Sequence, residues 1–355
     1  MNIYINGLGN VSPQVTTDSK VFLEEPINKE GVSFWCIDPD YKAILQKANL
    51  RRMSRLIKFG IYAAQQCLLD ANVEDLDAIL TGTGLGCQKD TEKFLIDIYG
   101  NDEGVLSPTK FMQSTHNTLS GQIALMLNCE NYNFTYVHRG ASFESALLDG
   151  VMLIEEGAKN VLVGGLDELT ETYLTITNRM KMWRKEQINQ LDLFSDKQSG
   201  TIAGEGASFF LLSKEPTPKS YAKIKGMKIL FKPKSIEAIH AEMASLLNDS
   251  DIAFEDLDVV VLGVNGDPAQ DKLYDDLKEK YFQEIQLTAF KHLCGEYKTA
   301  SAFGMWTAAQ ILGKQNIPEV LKLNKNDKPR LKNVLVYNCY NNSNHSLLLL
   351  QDVNA

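Results

Sequence analysis

Apolar positions in this chain fall into two textures. Ile57, Ile61, Ala64 and Leu68 recur at helical spacing, and Ile236, Ile239, Met243 and Leu246 do so again. Between and after them run short unbroken stretches: Ala78-Ile79-Leu80, Val161-Leu162-Val163, Val259-Val260-Val261-Leu262 and Val334-Leu335-Val336. Runs of this kind predict strands buried on both faces, which requires helices on both sides of each sheet. Residues 208–212 and 346–350 predict one further strand each.

The pattern occurs twice. Glu74-Asp75-Leu76-Asp77 before one apolar run returns as Glu255-Asp256-Leu257-Asp258 before another. Lys159-Asn160-Val161-Leu162-Val163 returns as Lys332-Asn333-Val334-Leu335-Val336. Two motifs repeated in the same order, with similar flanking helices, predict a duplication. Each half reads helix–strand–helix–strand–strand. The pattern breaks at residues 214–220, where Pro216 and Pro218 stand close together. The expectation is two halves, 1–214 and 221–355, stacked into one α/β/α/β/α body.

Composition narrows the function. A net charge of −9 argues against a nucleic-acid surface or an anionic membrane, since either needs clustered Lys and Arg. No apolar run approaches the roughly 18–20 residues that span a bilayer, and MNIYINGLGN lacks the basic start and apolar stretch of a leader. The six cysteines include no CxxC pair, which predicts reduced, cytoplasmic thiols without a zinc or disulfide frame. Gly82-Thr83-Gly84-Leu85-Gly86 follows a strand but lacks GxGxxG spacing and an acidic partner, so no nucleotide cofactor is expected. No metal is expected either.

Several stretches resemble the β-ketoacyl-acyl carrier protein synthases. Ile5-Asn6-Gly7-Leu8-Gly9-Asn10-Val11-Ser12-Pro13 resembles that family's opening strand and turn. Arg51-Arg52-Met53-Ser54-Arg55, continuing to Ala63-Ala64-Gln65-Gln66, resembles its first long helix, and Thr81 to Gly86 its glycine turn. Gly165 to Glu168, Gly204-Glu205-Gly206-Ala207, Asn265-Gly266-Asp267-Pro268 and Pro318 follow in order. The colinear order carries the resemblance. It implies the thiolase fold, whose halves are themselves duplicated.

The resemblance also implies a site. Such enzymes use a cysteine thiolate at the head of a buried helix, two polar residues, usually histidines, and a supporting lysine. Carried over, the nucleophile's place falls on Gly140, the first histidine's on Gly263 and the second's on Glu296. Lys291 matches the lysine and Tyr340 the gating aromatic. Glycine has no side chain to attack a thioester, and an ionised Glu296 would repel an enolate. Residues 226–234 stand where the family runs a long polar, substrate-facing loop, and predict only a short one.

The expected function is a non-catalytic chain-length-factor subunit. It would pair with an active β-ketoacyl synthase, in a type II polyketide, aryl polyene or related acyl pathway. Acyl carrier protein would dock through that partner. In the family the strand before the nucleophile pairs across the dimer; here that is residues 133–139, with Asn133, Phe134, Tyr136, His138 and Arg139. Phe111, Met112 and His116 would face the partner's acyl tunnel. The alternative is an acyltransferase or hydrolase on the same fold, using Cys339 or Ser142. His138 and His292 are read as structural or interface residues.

Overall fold

Every residue of the unbroken apolar runs is buried, with successive side chains on opposite faces of a sheet. Val161 and Val163 enter one core while Leu162 enters another; Val334 and Val336 separate from Leu335 in the same way. This two-sided burial explains why the runs lack polar alternation. A computed structural model describes residues 2–18, 21–44, 53–101, 104–196 and 198–355. Arg51 and Arg52, which open the stretch resembling the family's first long helix, lie outside the described residues.

The first half contains strands β1 (Ile3–Val11), β2 (Glu30–Gly31), β3 (Ser33–Phe34), β4 (Ala78–Gly82), β5 (Tyr132–Tyr136), β6 (Asn160–Asp167), β7 (Ile188–Asn189), β8 (Ala203–Gly204) and β9 (Gly206–Ser213). Its helices are α1 (Arg55–Ala71), α2 (Gln88–Gly100), α3 (Pro108–Ser114), α4 (Thr118–Leu127), α5 (Ser142–Glu155) and α6 (Glu171–Arg179). The second half has β10 (Ala222–Phe231), β11 (Val259–Leu262), β12 (Gln286–Ala289), β13 (Asn333–Tyr340) and β14 (Asn344–Gln351). Its helices are α7 (Ile236–Asn248), α8 (Pro268–Tyr281), α9 (Lys291–Cys294) and α10 (Ala300–Lys314).

Strand order shows the duplication directly. The first half runs β5-β4-β6-β9-β1 and the second β12-β11-β13-β14-β10, with parallel and antiparallel neighbours in matching places. The halves join where β1 pairs with β10, Ile3 opposite Ile224 and Ile5 opposite Ala222. One core, shared by both halves, surrounds α5 and α10; two others lie outside, under α1 and α4 and under α7 and α8. These are the five expected layers.

The repeated motifs are bonded to each other within each half. The Asp77 carboxylate accepts from the N–H groups of Lys159 and Asn160 at 2.7 and 3.0 Å, and Asn160 Nδ2 donates to Asp75 O. The Asp258 carboxylate accepts from Lys332 and Asn333 at 2.6 and 2.9 Å, and Asn333 Nδ2 donates to Asp256 O. One polar clasp, used twice, locks the start of the strand carrying each Lys-Asn to its parallel neighbour.

Two expectations need correction. Residues 226–234 are not simply a short loop: most belong to β10, whose polarity is spread by Lys223, Lys225 and Lys228 so that it lacks an apolar run. The helix–strand–helix–strand–strand reading also lacked β10 and β12 in the second half, whereas their counterparts β1 and β5 stand where the resemblance implied an opening strand and the strand before the nucleophile's place. The opening strands share an Ile-x-Gly step, Ile5-Asn6-Gly7 and Ile224-Lys225-Gly226, and each shifts register there. A Cβ at Gly7 would strike α1 at Ala71, and one at Gly226 would strike α7 at Leu246, so each glycine admits its covering helix.

Candidate active site

The site lies between the halves, where α5 begins. After β5 the chain turns through Arg139, which holds a left-handed φ of 51°, and a short 3₁₀ turn into α5. Ser142 stabilises this turn: its hydroxyl donates to Arg139 O and accepts from His138 N–H, both at 2.7 Å. The hydroxyl is buried and spent within the turn. His138 and Arg139 themselves are exposed.

Gly140 follows. A Cβ placed on it would meet Tyr340 Cβ and Cδ1 at 2.8 Å, so the tyrosine occupies the room a side chain would need. Lys298 lies over the same ring, its Nζ 5.9 Å from the centroid, and donates to Tyr173 Oη at 3.0 Å. Gly263, at the end of β11, is closed in the same manner by the Asn338 carboxamide and by Tyr274 Oη at 2.9 Å. Asn338 and Tyr340 are two apart on β13 and therefore share its inward face.

Glu296 sits beyond Gly295, whose φ of 75° and close fit to Gly204 both require glycine. Its carboxylate is 4% exposed and the Lys291 side chain is fully buried. Lys291 Nζ donates to Glu296 Oε2 at 2.7 Å and to Cys339 O at 3.2 Å. Asn265 Nδ2 donates to the same Glu296 oxygen at 2.9 Å, while Oε1 has no hydrogen-bond partner among the described residues. The Asn265–Gly266 loop is held by the Asp271 carboxylate, which accepts from both backbone N–H groups. Burial pushes Asp271 up to about 6, against the pull of those donors.

Cys339 points to the opposite face of β13. Its thiol lies 3.5 Å from His345 Nε2, and His345 Nδ1 lies 2.8 Å from Tyr337 Oη. Burial pushes the thiol up to about 12 and the imidazole down to about 4, so near neutrality both are uncharged. His292 is buried with Nε2 against Val320 O, and burial lowers it to about 4. A cavity of about 280 Å³, walled by Met182, Trp183 and Asp267, reaches Glu296 and Tyr340.

The structure thus brings Gly140, Gly263, Lys291, Glu296 and Tyr340 together from two halves. Sequence reasoning missed Asn338, Tyr274, Asn265 and His345. The two-residue spacing of Asn338 and Tyr340 on a predicted strand was the available signal for one of them. A further omission is Glu144, in the first turn of α5: it is wholly buried, and the Ser301 and Ser346 hydroxyls and its own backbone N–H draw its carboxyl down against that burial. Burial raises its pKa. Among the described residues no cluster of His, Cys, Asp and Glu is placed to hold a metal ion. No helix among them is long and apolar enough to cross a membrane.

The remaining candidates lie outside this cluster. β5 is the last strand of its sheet, so among the described residues its outer edge is unpaired. Phe134 is 47% exposed and packs between Tyr132 and Tyr136; Asn133 is exposed beside it. Phe111 and Met112, on α3, are more than half exposed, and Phe111 packs on Phe94. The exposed His116 packs its ring over Gly86.

A family model described as beta-ketoacyl synthase, N-terminal domain, matches residues 12–217. A 3-oxoacyl-(acyl-carrier-protein) synthase 2 from Synechocystis sp. is 25% identical over 186 residues, covering 49% of this chain and 45% of the relative. The chain therefore matches about half the length of that curated protein. Among solved structures, the ishigamide ketosynthase/chain length factor superposes with a TM-score of 0.81 at 17% identity, over 99% of this chain and 98% of that one. A ketosynthase in complex with its chain length factor, from Xenorhabdus doucetiae, gives 0.75 at 17% identity over the same shares. At these identities the likeness is one of fold.

Proposed function

The chain belongs to the β-ketoacyl synthase family, and from that membership we propose that it is a non-catalytic, chain-length-factor subunit of a ketosynthase pair. Its duplicated five-layer body is the thiolase fold that the sequence led us to expect. The partner is an active β-ketoacyl synthase, and the pathway is type II polyketide, aryl polyene or related acyl-chain synthesis. Acyl carrier protein reaches the pair through the partner.

One observation carries this reading. The places of the nucleophile and of one histidine are glycines covered by Tyr340 and Asn338, and the other histidine's place holds an acid neutralised by Lys291. No thiol attacks there, and no imidazole stabilises an enolate. The exposed edge of β5, with Phe134 and Tyr132 beside it, supports a partner subunit adding its own strand. Phe111, Met112 and His116 precede that strand and would bound the partner's acyl tunnel.

The test is co-purification with an active β-ketoacyl synthase of the same genome, followed by malonyl-carrier condensation assays on the chain alone and on the pair. We expect a heterodimer that condenses and an isolated chain that does not. Condensation by the chain alone, or failure to bind such a ketosynthase, would sink the proposal.

The Cys339–His345 contact favours a second reading, an acyltransferase or hydrolase using that thiol. Burial counts against it, since a thiol pushed up to about 12 is a poor nucleophile near neutrality. Ser142 supports it less, with its hydroxyl in the turn. A stable acyl adduct on Cys339, found by mass spectrometry after incubation with acyl thioesters, would decide for this alternative.

A further inference from the structure

β10 outruns the strand beside it. Its pairing with β1 stops at Ile224, opposite Ile3, while β14 follows its other edge to Phe231. Among the described residues no strand pairs with the first edge over 227–231. The open span is bounded at both ends. Lys225 Nζ donates to Asn2 Oδ1 at 3.1 Å, which keeps the start of the chain beside Lys225. At Lys232 a left-handed φ of 47° turns the backbone out of the strand, and Pro233 follows. Lys232 N–H donates to Ser343 O at 2.8 Å, toward β14. Alternation along the strand then aims the N–H and C=O groups of residues 227, 229 and 231 at the open edge.

An open edge is a template for pairing with another chain, and charged side chains normally guard it. The guard is thin here. Lys228 Nζ is held by Glu242 at 2.8 Å, and Ile229, Leu230 and Phe231 carry no charge. Ile229 is 39% exposed and Phe231 70% exposed. Met227, Ile229 and Phe231 share one face of the strand, since successive side chains alternate.

This span is complementary to itself. A second copy laid antiparallel about a two-fold axis at Ile229 sets Ile229 opposite Ile229, Met227 opposite Phe231, and Lys228 opposite Leu230. Moving the axis one residue back sets Lys228 against Lys228, and one residue forward sets Lys228 against Lys232. Like charges directly opposite each other destabilise a strand pair, so one register is favoured. The ends fit as well: the turn at Lys232 carries each chain away before it would meet the other copy's Asn2–Lys225 contact.

We propose that the chain self-associates through residues 227–231 of β10, a second copy adding its own β10 at a two-fold axis on Ile229. In the sheet order β1, β9, β6 and β4 lie between β10 and β5, so the contact leaves the β5 edge free. It goes beyond the pairing proposed above and stands whether or not a ketosynthase binds there.

Sedimentation equilibrium of the full chain, from micromolar to hundreds of micromolar, tests it. Wild type should move reversibly between monomer and dimer. Ile229→Lys and Ile229→Glu each place like charges across the axis, and each alone should weaken the dimer about tenfold or more. An equimolar mixture of the two variants should associate more tightly than either alone, which misfolded chains would not do. Phe134→Asp, at the β5 edge, should leave this dimer unchanged, so loss of ketosynthase pairing and loss of self-association are read separately. A wild type that stays monomeric, a dimer unmoved by both Ile229 variants, a mixture no tighter than its components, or a dimer lost in Phe134→Asp overturns the proposal.

Discussion

The ring of Tyr340 lies over the bare Cα of Gly140, close enough that a Cβ there would sit 2.8 Å from both Tyr340 Cβ and Cδ1. A cysteine introduced by Gly140→Cys would therefore have to displace the tyrosine. We expect Gly140→Cys to lose about 1–3 kcal/mol of stability by overpacking and to form no acyl adduct. Adding Tyr340→Ala should return part of that loss, so a denaturant double-mutant cycle should be non-additive. Additive costs would show that the two residues do not share this space.

Lys291 and Glu296 form an ion pair in a buried setting, with Asn265 as a third member. Such a pair is costly to break from one side, because the remaining charge is left buried. Lys291→Met should cost about 3–5 kcal/mol. Lys291→Met with Glu296→Gln should recover most of it, because the acid that needed neutralising is gone. Urea unfolding of the three proteins measures this, and a double variant as unstable as Lys291→Met refutes the pairing argument.

Glu168 is buried just beyond β6, where its carboxyl accepts from Lys89 N–H at 2.9 Å. Burial pushes it up to about 8; the Lys89 N–H pulls it down, and Asp90 and Glu205 add to the rise. An unfolded glutamate titrates near about 4.3, so the native state holds this proton more tightly. The resulting stability is complete below about pH 4.3 and disappears as pH rises through about 8. Glu168→Gln has no such dependence. Between about pH 5 and about pH 9, wild type should lose on the order of 4 kcal/mol relative to the variant. Parallel stability curves would exclude a raised Glu168.

How much of this was legible depended on what each element's neighbours demanded. The double burial of β6, β11, β13 and β14 wrote unbroken apolar runs, and the Asp77 and Asp258 clasps wrote the repeated motifs that exposed the duplication. β10 was hidden because its lysines break any apolar run. At the site, colinear motifs pointed to Gly140, Gly263 and Glu296, which the fold brings near one another. What fills those places could not: Tyr340 reaches Gly140 across the interface between halves, and Asn338 reaches Gly263 across a parallel strand pair. Glu144 could not be distinguished in sequence from any acid in the first turn of a helix, where acids are ordinarily exposed and favourable.

The outer edge of β5 and the exposed α3 residues make separable claims about pairing and product. Phe134 is packed between Tyr132 and Tyr136 on the outermost strand, so its side chain supports little of this chain's own core. Phe134→Asp should therefore leave the melting temperature of the isolated chain nearly unchanged. It should weaken association with the active ketosynthase by about 30-fold or more, the loss typical of a central aromatic anchor. Phe111 and Met112 lie upstream on α3, and shortening them removes bulk without placing a charge on the paired strand. Phe111→Ala and Met112→Ala should retain the heterodimer and lengthen the acyl product, read by mass spectrometry of carrier-bound chains. If Phe134→Asp pairs normally, β5 is not the docking edge; if the α3 variants leave product length unchanged, those residues do not bound the tunnel.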